Sequence, residues 1–220
     1  MKLCACVAEA TPEQARARME RADTDLVEHR IDYMNDICSI DGLYAGIVPS
    51  VVATLRTEGQ GGRFAGDVET LKTTLVAAMD EGCDYVDIEA TLPTDVCTEL
   101  IMHAGARGVK TMLSYHNFVT TPAHETLRNI IARSNDLGTD MVKIVPTAHD
   151  ANDWKRVLGL YMDDPPLPLI AFCMGEASAF TRVASLYYGA PFTYVSVGTS
   201  TAPGQLSLDE MRSILGVLGR

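Results

Sequence analysis

Eight short apolar runs, separated by stretches of helical character along 220 residues, leave this chain few folds to choose from. The runs are KLCACV (2–7), DLVEHR (25–30), SVVATLR (50–56), DYVDIEA (84–90), VKTMLSYH (109–116), DMVKIV (140–145), PLIAFC (168–173) and FTYVSV (192–197). Each has strand length. Between them, TPEQARARMERA opens on Thr11 as N-cap, with Pro12 at the first helical position. DVETLKTTLVAAMDEG starts at Asp67 and stops on Gly82, and TPAHETLRNIIARSNDLG repeats the Thr-Pro start and the glycine stop. ASAFTRVASLYYG and SLDEMRSILGVLG complete the series, and the segment around DICSIDGLYAG is expected to hold the helix after the second strand. Such alternation builds βαβ units on a parallel sheet. Eight units predict an α/β fold, a single-domain (β/α)8 TIM barrel over residues 1–220. The alternative, an open doubly wound sheet, lacks its usual GxGxxG after the first strand.

Hydrophobic residues make up 47% of the chain and charged residues 21%, as in an ordinary globular domain. The formal net charge of −11 argues against nucleic acid or an anionic membrane as the main partner. It leaves room for a small anionic substrate at a locally basic site. No apolar run reaches the ~18 residues of a membrane span. The opening MKLCACVAEA is too short an apolar run for an export signal and reads as the first strand. Six cysteines (Cys4, Cys6, Cys38, Cys83, Cys97, Cys173) with no CxxC pair read as reduced, mostly buried thiols of a cytoplasmic protein.

A (β/α)8 barrel builds its site at the C-terminal ends of the strands. There, Lys143 stands between Val142 and Ile144 in a run that reads as buried, and a lysine is rarely buried without a partner or a task. Desolvation lowers its proton affinity and makes it a nucleophile toward carbonyls. The alternative is a structural pair with a barrel carboxylate. Glu28, Arg30 and Asp32 alternate and so share a face; Glu28 and Arg30 also read as a structural ion pair. Arg56 ends the third strand, His116 the fifth, and Arg182 follows the seventh in CMGEASAFTR. One amine, one imidazole and three guanidiniums thus converge on one rim. No HxH, HExxH or carboxylate-rich set accompanies them, so no metal is expected. GQGG (59–62) lacks the Lys-Ser/Thr of a phosphate loop, and its glycines read as giving a mobile loop. His29, His103, His124 and His149 carry no assignment.

EHRID (28–32), TLRTEGQGGRF (54–64), SYHNF (114–118), VKI (142–144), MGEASAFTR (174–182) and TAPGQLS (201–207) resemble, in this order, the motifs of the type I 3-dehydroquinate dehydratases. That family folds as a (β/α)8 barrel. The resemblance implies a lyase of the shikimate pathway, in aromatic amino-acid biosynthesis, that converts 3-dehydroquinate to 3-dehydroshikimate with no metal or organic cofactor. It implies that Lys143 forms a Schiff base with the C3 ketone. His116 would remove the C2 proton and then serve as acid when the C1 hydroxyl leaves. Arg182, with Gln205, would hold the substrate carboxylate, and Glu28, Arg30 and Arg56 the ring hydroxyls. Thr201 stands where the family commonly has Ser and joins the binding set. A homodimer is also implied. Two positions depart from the pattern. The family usually has Glu, partnering the catalytic histidine, four residues after the third-strand arginine; here that residue is Gln60, with Glu58 nearby as the other candidate to orient His116. Asn117 follows His116 where the family often has Asp. Two other readings stay open: another Schiff-base barrel enzyme of the class I aldolase type, and a non-catalytic binding module.

Overall fold

The computed structural model describes residues 1–198 and 200–219; Thr199, within GTSTAPGQ, and Arg220 lie outside the described residues. Within the described residues eight strands run in chain order: β1 (Lys2–Val7), β2 (Leu26–Arg30), β3 (Ser50–Thr54), β4 (Tyr85–Glu89), β5 (Lys110–Asn117), β6 (Met141–Pro146), β7 (Leu169–Ala171) and β8 (Phe192–Ser196). All pair in parallel, in the order β7-β6-β5-β4-β3-β2-β1-β8. Among the described residues no ladder joins β7 to β8, so the expected (β/α)8 barrel is nearly closed. Side chains and loops span the seam. The rings of Phe172 and Tyr194 lie 6.4 Å apart, and the Gly175 N–H donates to the Pro203 carbonyl at 3.3 Å.

Among the described residues, seven helices surround the sheet: α1 (Pro12–Arg21), α2 (Val68–Asp80), α3 (Thr94–Arg107), α4 (His124–Leu137), α5 (Ala151–Gly159), α6 (Phe180–Tyr187) and α7 (Leu208–Val217). Their starts follow local chemistry. Thr11 accepts from the Gln14 N–H, Asp67 from the Thr70 N–H, and Ser207 and Glu210 form a capping box. The start of α4 differs from the sequence expectation. It begins at His124 after Ala123, and Thr121 instead donates its hydroxyl to the Thr147 carbonyl at 2.8 Å, tying the loop after β5 to the end of β6. Helices α3 and α5 fill gaps where the sequence carries no clear start-and-stop pair.

The helix expected after β2 is absent. The chain makes a 3-10 turn over Ile31–Tyr33 and continues in turns to β3. Asp36 accepts from the Cys38 N–H and the Ser39 hydroxyl, local bonds that compete with a helix. Ile40, Leu43 and Tyr44 of this loop are nevertheless buried and cover the barrel there.

Strand side chains alternate between two cores. Val27, Val51, Ala53, Val86 and Ile88 pack outward with helix residues such as Leu71, Leu75 and Leu100. Leu26, Val52, Met112, Met141, Ile170 and Phe192 fill the interior. Five of the six cysteines are buried; Cys38 is exposed.

Candidate active site

Among the described residues, one cavity gathers the residues that the sequence placed at the rim. Glu28 and Arg30 reach it from β2, Arg56 from just beyond β3, His116 from β5 and Lys143 from β6. Arg182 comes from α6, Gln60 from a 3-10 turn after β3, and Thr201 and Gln205 from the loop after β8. The four other histidines lie elsewhere. His29 faces Tyr44, His103 meets Asp80, His124 meets Asp163 and His149 meets the Val119 carbonyl. No group of three or more His, Cys, Asp or Glu that could hold a metal ion occurs among the described residues.

Lys143 is only 4% exposed. Its Nζ lies 3.4 Å from Glu28 Oε1 and 3.3 Å from Asp87 Oδ2, and 4.0 Å from the centre of the Tyr194 ring. It therefore has barrel carboxylates as partners and also faces the cavity. The Glu28–Arg30 ion pair is not formed: Glu28 pairs with Lys143, while Arg30 forks onto Asp32 through Nε at 2.9 Å and Nη2 at 2.8 Å. A two-pronged bond of this kind suits the planar guanidinium and leaves Glu28 to the amine.

Arg56 anchors a second cluster that sequence reasoning missed. Its guanidinium reaches Asp87 at 2.6 Å, Glu89 at 3.2 Å and the Ser114 hydroxyl at 2.8 Å. The Thr57 N–H and hydroxyl also donate to Glu89. Burial opposes the charge on Arg30 and Arg56, yet Asp32 beside the first and Asp87 and Glu89 beside the second hold both above the usual arginine range. Burial likewise raises Asp87 and Glu28, but the cations prevail and both carboxyls end below their usual range. Arg56 and Lys143 act on Asp87, and Lys143 and Arg30 on Glu28. The signal for Asp87 and Glu89 was present in DYVDIEA, where two acids share one face of a strand that has to be buried.

The His116 main-chain N–H donates to Gln60 Oε1 at 2.7 Å. Its Nδ1 is buried and has no hydrogen-bond partner among the described residues. Glu58 is exposed and does not line the cavity. Burial, and then the charges of Arg56, Lys143, Arg30 and Arg182, push the imidazole well below its ordinary range, which leaves it neutral and able to accept a proton. The GQGG segment forms a 3-10 turn over Glu58–Gln60. Glu58 N–H donates to the Phe64 carbonyl at 3.0 Å and Phe64 N–H to the Arg56 carbonyl at 3.1 Å. Gly61 takes φ +78°, and a Cβ there would run into the Phe118 ring that walls this side of the cavity. Its glycine serves close packing.

Arg182 is 2% exposed and has no ion-pair partner among the described residues. Nε donates to the Gly204 carbonyl at 3.1 Å, the guanidinium lies 4.4 Å from the centre of the Phe172 ring, and Nη2 is buried without a partner. Burial pulls its pKa down to about 10. A buried cation with a free donor at a cavity wall is built to receive an anion. Beside it, Gln205 Oε1 accepts from the Thr201 N–H at 2.8 Å and hydroxyl at 3.1 Å, while Nε2 contacts Cys6 Sγ at 3.1 Å. Gly204, with φ +69°, leaves no room for a Cβ against the Gly175 carbonyl, so the loops after β7 and β8 pack backbone to backbone.

The family model of the type I 3-dehydroquinases matches residues 3–220. The chain is 35% identical to the 3-dehydroquinate dehydratase of Desulfotalea psychrophila, over 97% of this chain and 96% of that protein. It is also 35% identical to that of Archaeoglobus fulgidus, over 100% of both. The crystal structure of 3-dehydroquinate dehydratase from Geobacillus kaustophilus matches with a TM-score of 0.91 at 26% identity, covering 99% of this chain and 91% of that one. Likeness over the full length, in a barrel whose rim holds the motif residues around one cavity, sets aside the aldolase-like and non-catalytic readings: the chain belongs to the type I 3-dehydroquinase family and is a 3-dehydroquinate dehydratase.

Proposed function

We propose that this enzyme dehydrates its substrate through an imine between Lys143 and the C3 ketone of 3-dehydroquinate, yielding 3-dehydroshikimate. The observation that carries the reading is Lys143 itself, a buried amine at the wall of a cavity that also holds Arg182, which has no ion-pair partner among the described residues, and His116, whose proton affinity is lowered by burial. The protonated imine withdraws electrons and makes the adjacent C2 proton acidic. His116 takes that proton and returns it to the C1 hydroxyl, which departs as water, and hydrolysis of the imine releases the product. Arg182 and Gln205 hold the carboxylate, with Thr201 fixing Gln205. Glu28, Arg30 and Arg56 hold the ring hydroxyls, and Gln60 positions His116 through its main chain. The lysine is the electrophile-forming group, so the reaction calls for no cofactor. We further infer that the chain is a single barrel domain over residues 1–220, acts as a cytoplasmic homodimer and serves the shikimate pathway in aromatic amino-acid biosynthesis.

Incubation with 3-dehydroquinate and borohydride tests the mechanism. Mass should be added to the peptide that contains Lys143. A label on Lys110 or Lys155 would overturn the assignment. His116→Ala should retain the label while turnover falls ~10²–10⁴-fold, the usual contribution of a general acid–base group.

A further inference from the structure

Before Lys143 can attack a ketone it has to release a proton, and Nζ meets two carboxylates able to take it, Glu28 Oε1 at 3.4 Å and Asp87 Oδ2 at 3.3 Å. Distance does not separate the two; their other partners do. Asp87 Oδ2 also holds Arg56 Nη2 at 2.6 Å, and Oδ1 accepts the Ser114 hydroxyl. Arginine keeps its proton in proteins, so Asp87 retains a cation in contact whatever happens at Lys143. Glu28 has no such cation. Its further contacts are the Cys6 thiol on Oε2 at 3.3 Å and the Thr54 hydroxyl on Oε1 at 3.2 Å, both neutral. Arg30 spends Nε and Nη2 on Asp32 and acts on Glu28 only through space. Lys143 is thus the one ion-pair partner of Glu28 among the described residues. Once the amine is neutral, the burial that favours the acid form of Glu28 loses its main opponent.

The geometry points to Glu28 as the catalytic residue that takes the Lys143 ammonium proton, with Asp87 as the counter-ion that stays charged throughout. This deepens the imine reading above and rests on it. Proton transfer from Nζ to Glu28 leaves an amine and a carboxylic acid. The nitrogen lone pair forms the C–N bond while the C=O π pair moves to oxygen, and one nitrogen proton passes to that oxygen, giving a neutral carbinolamine. Glu28 returns its proton to this hydroxyl. The C–O bond breaks, water leaves, and the nitrogen lone pair closes the C=N bond of the iminium. Glu28 is then again a carboxylate beside a cation, and the Tyr194 ring faces a positive nitrogen at the start and the end of the sequence.

Rapid-quench borohydride trapping with 3-dehydroquinate, combined with the isotope effect on substrate deuterated at C2, tests the assignment. In Glu28→Gln the reduced adduct at Lys143 should appear ~10²-fold or more slowly than in the unaltered enzyme. The isotope effect on turnover should fall toward 1, because imine formation now limits. Raising the pH should restore the adduct rate about tenfold per unit, since solvent base replaces the carboxylate. Asp87→Asn should slow the adduct less than Glu28→Gln does. If Glu28→Gln does not fold, Glu28→Asp, which withdraws the carboxylate by one methylene, should show the same slowing to a smaller degree. Adduct formation at the unaltered rate in a folded Glu28 variant overturns the proposal, as does a larger loss in Asp87→Asn. Absence of any Lys143 adduct in the unaltered enzyme overturns the imine reading itself, and this assignment with it.

Discussion

Gln60 stands where a carboxylate would raise the proton affinity of His116, and the difference has a measurable sign. The amide accepts the His116 main-chain N–H, so it places the end of β5 and leaves the ring to its cationic neighbours. The free-enzyme acid limb, read in kcat/KM, should therefore lie well below pH 6.5, since the base is already neutral there. Gln60→Glu adds an anion that favours the protonated ring and should move that limb to higher pH. Gln60→Ala leaves the N–H without its acceptor, at a cost of about 1 kcal/mol in stability, and should lower kcat. Glu58→Gln, at an exposed position, should change neither. pH–rate profiles of the three variants check this, and a downward shift in Gln60→Glu would contradict it. Lys143, His116 and the arginines were legible because charge is incongruous in or beside an apolar strand. Cys6, Tyr194 and Phe172 were not, because they pass for core. Only their height in the barrel, fixed by strand register, brings them to the cavity wall.

On β2 the alternation of a strand divides two kinds of work. Glu28 and Arg30 face the cavity, while His29 between them is fully buried on the other side, with Nδ1 2.9 Å from the Tyr44 hydroxyl. Burial drives its pKa down to about 4, against a smaller opposing pull from Asp32. The unfolded chain accepts that proton near pH 6.5, whereas the folded one resists it until about pH 4. Stability from this group is complete above pH 6.5 and is lost as pH falls toward 4, by up to about 3 kcal/mol. His29→Gln keeps a polar partner for Tyr44 without titrating, and should show a shallower loss of urea stability over that window. An unchanged slope would show that His29 is not the group responsible. Tyr44 comes from the loop that replaces the expected helix. Ile37, Ile40, Tyr44 and Ile47 recur there at helical spacing, so apolar period alone misleads. The local bonds of Asp36 and the positive φ of Gly42 and Gly46 decide against the helix.

The whole molecule was legible from its alternation, because eight strands, seven of them followed by a helix among the described residues, build a parallel sheet that can close into a barrel. The seam was not, since nothing in residues 168–173 announces that β7 will have only three residues and a partner on one side. Edge strands open at lower cost than central ones. In hydrogen exchange, main-chain amides of β7 and β8 should therefore exchange faster than those of β3, β4 and β5. Equal protection around the barrel would indicate a sealed seam. The strand order also has a consequence for how the chain is made. β1 leaves the ribosome well before β8, which covers its second edge. At synthesis rates of about 5–20 residues per second, that edge waits unpaired for roughly 10 to 40 s. Until then, a nascent chain of this design carries an open strand edge within KLCACV, a template for pairing with another chain. The edge of β1 is therefore exposed to pairing with another chain long after the strand itself has been made.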